Sequence, residues 1–289
     1  MSSYNTVCIA HHSLLPHAAE LAEEIAKEYA ARCKSWLANE MTLAHEEADD
    51  RLRDTDLIIT VGGDGTILRG MHAASLHGIP VLGVNMGRVG FMSEIDSENA
   101  LDEIEWYLDG NGRIDDRTML RATLDGDELG PMHALNDVAV HRGAEFRVIE
   151  VEAMVDGVEL STYRGDGVIV ATSTGSTGYT LQLGGPVIDP SSQVFLLKPV
   201  AGHMSQFGGV VLNSSSVLRL TLSTTSDAAL TVDGYISRSM QDRSTVRISR
   251  SERHARFLRK GPRSSFWEGL SHRLGMRIGA VRRGEGSGA

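Results

Sequence analysis

The sequence has no uninterrupted apolar run of the about 18 residues that a membrane-crossing helix requires, so no helix of it is expected to span a bilayer. Its first residues, MSSYNTVCIAHHS, lack a basic stretch and a long apolar core, which argues against a secretory signal. Cysteine is scarce. Cys8 and Cys33 form neither a metal spacing nor a disulfide framework; one lies in an apolar strand run and the other late in a helical pattern, where both read as small buried hydrophobes. No cluster of His, Cys and Asp has metal-site spacing, and His11 and His12 read as solvated loop residues. Positive charge is short as well: 28 Lys and Arg stand against 38 Asp and Glu, a formal net charge of -10. A field of that sign repels nucleic acid and anionic membranes, so neither is expected as a partner. An anionic ligand must then be met locally, by arginines and backbone N–H groups. A cytoplasmic location is the expectation. Neither GxGxxG nor GxxxxGK[ST] occurs, so the Rossmann dinucleotide and Walker-type loops are excluded.

What is present points to an ordered enzyme-sized chain. At 289 residues it is about two domains long, and each half can bury a core without a disulfide or metal staple. The 41% hydrophobic and 23% charged content sets it among globular proteins rather than disordered ones. Glycine, at 31 residues, is the one excess, and its placement is informative.

The first third alternates strand and helix patterns. Thr6–Ala10 is a short apolar run, and the stretch from His17 to Cys33 puts Leu21, Ala22, Ile25, Ala26, Tyr29 and Ala30 on one helical face. Leu57–Val61 and Pro80–Val84 are buried-strand runs on either side of the helical TILRGMHAASL. Asp96 and Ser97 are N-cap candidates for a helix carrying Leu101, Ile104 and Leu108 and stopped at Gly110. This predicts an open parallel α/β sheet domain over residues 1–116. From about Arg117 the pattern becomes period-two, as in MLRATL, HALNDVAVH, FRVIEVEAMV, VLRLTL and STVRIS. Asp156-Gly157 and Asp233-Gly234 sit between apolar strands as hairpin turns. A mostly antiparallel β domain over 117–258 follows. The tail, 262–289, holds one helical pattern, SSFWEGLSHRL, before a basic, glycine-rich end expected to fray; the tail is expected to pack back on the first domain.

Two segments carry chemistry. In LIITVGGDGT a buried strand ends in Gly62, Gly63, Asp64 and Gly65, followed by Thr66 and a helix. Glycines there let backbone N–H groups approach a phosphate, and the helix N-terminus adds partial positive charge. Asp64 is the odd member, because a carboxylate repels phosphate. It fits a group that accepts a proton from an attacking hydroxyl or orients a metal. The plainer alternative is a tight strand–helix turn with Asp64 as its N-cap. In RGDGVIVATSTGSTGY, Val168–Thr172 leads into small and hydroxylated residues, then Tyr179 and Gly184-Gly185-Pro186. Small residues admit a flat ligand, hydroxyls offer donors and acceptors, and Tyr179 offers a ring for stacking on a base. A flexible Ser/Thr/Gly loop with one aromatic is the plainer reading here.

The order GGDGT, GVNMGRVGF (Gly83–Phe91), Asn136-Asp137, GDG, TSTGSTGY and GGP resembles that of the NAD kinases, from about Gly62 to Asp233. GGDGT alone is shared with lipid kinases and phosphofructokinases; TGSTGY with its following GGP is far more specific. The resemblance implies transfer of the terminal phosphate of ATP, or of polyphosphate, to the adenosine ribose 2′-hydroxyl of NAD, giving NADP. It implies Asp64 as the proton acceptor, with Gly62, Gly63, Gly65 and Thr66 forming the phosphate loop. It further implies NAD contacts at Asp64, Gly65, Arg69, Asn136, Asp137, Arg147, Arg164 and Asp166, and at Thr177, Gly178, Tyr179, Thr180, Leu181, Gln182 and Ala201. Phe91, Asp233 and Tyr235 correspond to lesser positions near the ligand. Mg²⁺ would arrive with ATP, and a homodimer or homotetramer is implied. The chain departs from the pattern at Asp137 (commonly Glu), Ser173 (Pro), Gly178 (Ala) and Tyr235 (Gln), and across Pro199–Gly209. A lipid or sugar kinase of the same superfamily, and a catalytically idle dinucleotide-binding regulator, are the alternatives.

Overall fold

The structure is a computed structural model and describes residues 3–45, 50–87, 90–145, 147–202 and 208–274. Arg88 and Val89 of the GVNMGRVGF motif, residues 203–207 of the Pro199–Gly209 segment and the glycine-rich end from 275 lie outside the described residues.

The first part of the chain runs β1 (Thr6–His11), α1 (Pro16–Glu28), β2 (Lys34–Asn39), α2 (Glu40–His45), α3 (Asp50–Arg53), β3 (Leu57–Gly62), α4 (Asp64–His77), β4 (Val81–Asn85), β5 (Ile95–Asp96) and α5 (Ala100–Leu108). Strands β2, β1, β3 and β4 pair in parallel in that order, as the two-sided apolar runs require. Successive residues of β1 serve opposite faces. Val7 and Ile9 pack with Ala18 and Ile25 of α1 and Ile104 of α5, while Cys8 and Ala10 pack with Ile67 and Met71 of α4. Cys8 and Cys33 are both buried.

The helical pattern read to Cys33 stops at Glu28, and β2 follows within a few residues. That strand gives little periodic signal because it is the sheet's edge, with no residue fully buried. Asp96 and Ser97 make no side-chain cap; Ser97–Asn99 is a 3₁₀ turn that leads into α5 at Ala100.

The rest comprises β6 (Arg113–Leu124), β7 (Met132–Ala134), β8 (Asp137–Arg142), β9 (Ile149–Val155), β10 (Val158–Gly165), β11 (Gly167–Thr172), α6 (Tyr179–Gln182), β12 (Val194–Val200), β13 (Val210–Asn213), β14 (Leu218–Ser223), β15 (Ala228–Val232), β16 (Ile236–Met240), β17 (Thr245–Arg259) and α7 (Ser265–Arg273). Six strands, in the order β13-β12-β11-β8-β15-β16, form a wholly antiparallel second sheet. Its inner face, with Val138, Val170 and Phe195, packs on Leu120, Val151 and Leu220 of the first sheet. Asp156 and Asp233 have φ of 51° and 49° and their following glycines 84° and 75°, the paired positive values of a two-residue hairpin turn. Strand β17 pairs in parallel with β4 and antiparallel with β6 and β14, so the parallel and antiparallel parts of the first sheet are one hydrogen-bonded array. The fold class read from sequence, parallel α/β followed by mostly antiparallel β, is the one observed.

Candidate active site

The Gly-Asp-Gly loop stands where β3 meets α4, at the carboxyl end of the parallel strands. A Cβ on Gly62 would come 2.7 Å from Cβ of Thr66, so the turn closes only over glycine there. Gly63 is the N-cap of α4 and no side chain caps the helix. Asp64 is therefore not the cap of the plainer reading. Its carboxylate instead accepts N–H bonds from the neighbouring turn, Oδ2 from Phe91 at 2.9 Å and Oδ1 from Met92 at 3.1 Å. A cavity of about 150 Å³ opens over it, lined by Asp64, Gly65, Phe91, Asn136, Thr177 and Gly178 among others. Arg69 reaches back along α4 and stacks its guanidinium 5.1 Å from the ring centre of Tyr235, which itself meets His72 edge-on at 5.3 Å.

Asn136 belongs both to this cavity and to a larger one of about 530 Å³, which Asp137, Asp166, Tyr179 and Asp233 also line. The Oδ1 atom of Asn136 is buried with no hydrogen-bond partner among the described residues, an acceptor held ready at the junction. Asp137 is nearly fully buried. Desolvation, with the nearby charge of Asp233 second, pushes its carboxyl up to about 7. Asp166 is held by Arg142 Nε at 2.7 Å. Tyr179 is exposed at the rim, as a stacking platform requires.

Asp233 is more than a turn residue. Its Oδ2 accepts the Leu135 N–H at 2.7 Å and its Oδ1 those of Asn136 and Asp137 at 2.7 and 2.9 Å. Nε2 of His72, from the buried face of α4, lies 2.6 Å from Oδ2. One carboxylate thus fixes the Asn136-Asp137 backbone and ties it to the helix that begins at Asp64.

The Ser/Thr loop is built differently from the expectation that its hydroxyls face a ligand. Thr172 Oγ1 donates to Leu135 O, Ser176 Oγ to Ser173 O at 2.7 Å, Thr177 Oγ1 to Thr174 O at 3.1 Å and Thr180 Oγ1 to Gly175 O at 2.9 Å. These hydroxyls brace the loop, and its backbone and Tyr179 face the cavities. A Cβ on Gly175 would lie 2.8 Å from Cα of Asn136, so glycine sets how closely the loop approaches that residue. Ser173 Oγ donates to Ser192 O at 2.7 Å, a bond that proline could not make.

Other sequence-derived positions stand apart from the two cavities. Arg147 is exposed beside Glu145, and Arg164 points outward toward Glu150 at 3.8 Å. Thr180 is fully buried, while Leu181 and Gln182 on α6 and Ala201, at a φ of 46°, line neither cavity. His72, Met92, His141 and Arg142 were missed. A histidine among the mostly small and apolar buried residues of α4 was the available signal for His72; His141 and Arg142 at a strand end gave none. Among the described residues no three His, Cys, Asp or Glu converge as a metal cage. No helix described is long and apolar enough to cross a membrane.

Comparison with known proteins agrees with this layout. The ATP-NAD kinase N-terminal domain family matches residues 11–111 and the ATP-NAD kinase C-terminal domain family residues 135–260. An NAD kinase of Dehalococcoides mccartyi is 36% identical over 280 residues, covering 94% of this chain and 96% of that protein. One from Heliobacterium modesticaldum is 41% identical over 223 residues, 76% of this chain and 79% of its own length. Among solved structures, an NAD kinase from Archaeoglobus fulgidus in complex with ATP superposes with a TM-score of 0.75 at 26% identity, covering 94% of this chain and 100% of its own. Yeast NADH kinase complexed with NADH shares the fold, with a TM-score of 0.81 at 23% identity over 94% of this chain and 88% of its own. Two family matches that together span most of the sequence, and relatives this similar over nearly its full length, establish that the chain belongs to the ATP-NAD kinase family.

Proposed function

We propose that this chain phosphorylates NAD at the adenosine ribose 2′-hydroxyl, using ATP or polyphosphate as donor, which is the reaction of its family. The observation that carries the reading is the position of Asp64, in a small cavity that shares Asn136 with a larger one rimmed by Tyr179. The larger space suits the dinucleotide, with its adenine on Tyr179 and its ribose toward Asn136 and Asp137.

In the transfer, the 2′ oxygen forms a bond to the terminal phosphorus as the bridging P–O bond breaks. The proton of the hydroxyl passes to Asp64, and ADP or a shortened polyphosphate leaves. Such a transition state is loose, so the base need only be well placed. The N–H groups of Phe91 and Met92 hold the carboxylate in one orientation. The N-terminus of α4 and Arg69 supply positive potential for the phosphates. A magnesium ion, when bound, neutralises charge on the phosphate oxygens. Among the described residues no cage of His, Cys, Asp or Glu surrounds Asp64, so the ion would be held mainly by the donor's phosphates, with Asp64 the nearest loop carboxylate.

The two buried cysteines and the nucleotide substrates suit the reducing cytoplasm, and the family resemblance supports a homodimer or homotetramer. The test is direct: incubate the purified protein with NAD, Mg²⁺ and either ATP or polyphosphate, and measure NADP. Absence of NADP with every donor overturns the reading.

A further inference from the structure

Asp233 stands at the turn between β15 and β16, on the wall of the larger cavity, yet its carboxylate is fully committed to protein. A carboxylate offers about four acceptor positions. Three are taken by the backbone N–H groups of Leu135, Asn136 and Asp137, and the fourth faces His72 Nε2 at 2.6 Å. A carboxylate so surrounded accepts at every position, which assigns the ring proton of His72 to Nε2. The two side chains are 2% and 0% exposed, so water does not compete for this bond.

Three of the four donors belong to the segment that carries Asn136 and Asp137. His72 alone comes from α4, where it lies about 12 Å along the helix from Asp64. Around the bond, Ile67, Leu68 and Met71 of α4 pack with Leu135 and Tyr235. Apolar contacts bring two elements together, but they are not directional and tolerate small slides. A hydrogen bond to a carboxylate in a water-free site is directional, and breaking it strands a buried donor and a buried charge. The separation between the base-bearing helix and the Asn136-Asp137 segment is therefore fixed most sharply at His72.

We propose that His72 is a positioning residue for the phosphoryl transfer: through Asp233 it holds Asn136 and Asp137 at a set distance from Asp64, so that the acceptor sugar meets the base. The inference rests on the kinase reading above. His72 lines neither cavity and acts only through the carboxylate it faces. Its loss lets the segment slide on α4, and a misplacement of roughly 1 Å is enough to cost about 10²-fold in rate. The slide disturbs the dinucleotide, which lies on the Asn136-Asp137 segment, and leaves the binding of the phosphoryl donor as it was.

The test separates the bond from the ring. His72→Gln puts an amide N–H near the place of Nε2 and gives up the aromatic edge; His72→Phe keeps a ring against Tyr235 and gives up the donor. Each is compared with wild type for its urea midpoint, its NAD affinity by calorimetry, its ATP KM and its kcat per NAD-binding site. His72→Phe is expected to lower kcat by about 10²-fold and NAD affinity by about tenfold, with the ATP KM within about twofold. His72→Gln should keep kcat and NAD affinity within about threefold of wild type. If His72→Phe does not fold, His72→Asn, whose amide stops short of Asp233, takes its place with the same expected losses. A fully active His72→Phe, or a His72→Gln as impaired as His72→Phe, overturns the proposal. So does a lowered urea midpoint with NAD affinity and kcat per site unchanged, which is the mark of a merely structural residue. A wild-type protein that forms no NADP from any donor overturns the kinase reading instead, and the NAD affinities of the variants then still decide whether His72 positions the Asn136-Asp137 segment.

Discussion

Gly90 is packed so closely against Asp64 that a Cβ on it would sit 2.6 Å from the carboxylate carbon. The turn that donates two N–H bonds to Asp64 keeps its distance only because Gly90 has no side chain. Gly90→Ala is expected to push the turn off the carboxylate, lowering kcat by about 10²-fold for a displacement of roughly 1 Å. NAD affinity should change little. Steady-state kinetics with an NAD titration check it, and an unchanged kcat would show that the turn does not orient the base.

Asp64→Asn keeps the shape of the side chain and removes its proton affinity. NADP formation is expected to fall by about 10²–10⁴-fold, the usual worth of a general base, with NAD binding preserved within a few-fold. An unaffected rate would remove Asp64 from the proton-accepting role.

Asp233→Ala strands the N–H groups of Leu135, Asn136 and Asp137 and the imidazole of His72. Each buried donor left without an acceptor costs about 1–3 kcal/mol, so a loss of about 4 kcal/mol or more is expected. Asp233→Asn retains one acceptor oxygen and should fall between. Urea denaturation midpoints measure both, and a loss under about 1 kcal/mol in the alanine variant would show that water takes over these bonds.

Asp137 gives a pH signature. Its carboxyl, 3.8 in the ordinary state and about 7 when folded, binds its proton more tightly in the native chain. The group therefore costs nothing below its unfolded value, and native stability declines as pH rises from about 4 to about 7. Asp137→Asn has no such proton to lose, so its stability relative to wild type should climb across that window and then level. Each tenfold in proton affinity is worth about 1.4 kcal/mol, and a flat difference would mean an ordinary carboxyl.

The loop at Gly62–Gly65 and the hairpins at Asp156 and Asp233 were legible because glycine beside a polar residue encodes its own backbone geometry. Edge strand β2 was not, since half its surface faces water and no periodicity survives. The chemistry of Asp233 was hidden behind its turn geometry: sequence shows a hairpin residue, while four donors reach its carboxylate from two other segments of the chain. Arg147 and Arg164 stand apart from both cavities of this chain, and motif correspondence alone does not tell which face of the chain a long side chain takes. The meeting of Arg113 with Arg259 was invisible for a related reason. Arg113 and Arg259 are far apart in sequence and meet only because β6 and β17 pair at that register.

That same pairing governs how the molecule can move. Strand β17, 15 residues long, is zipped to β6 and borders both β4 and β14, so a single pleated ribbon underlies the base-bearing loop and the β wing alike. Relative motion of the two halves would have to bend this shared ribbon, so tightening around bound nucleotides is expected at the short turns along its margin.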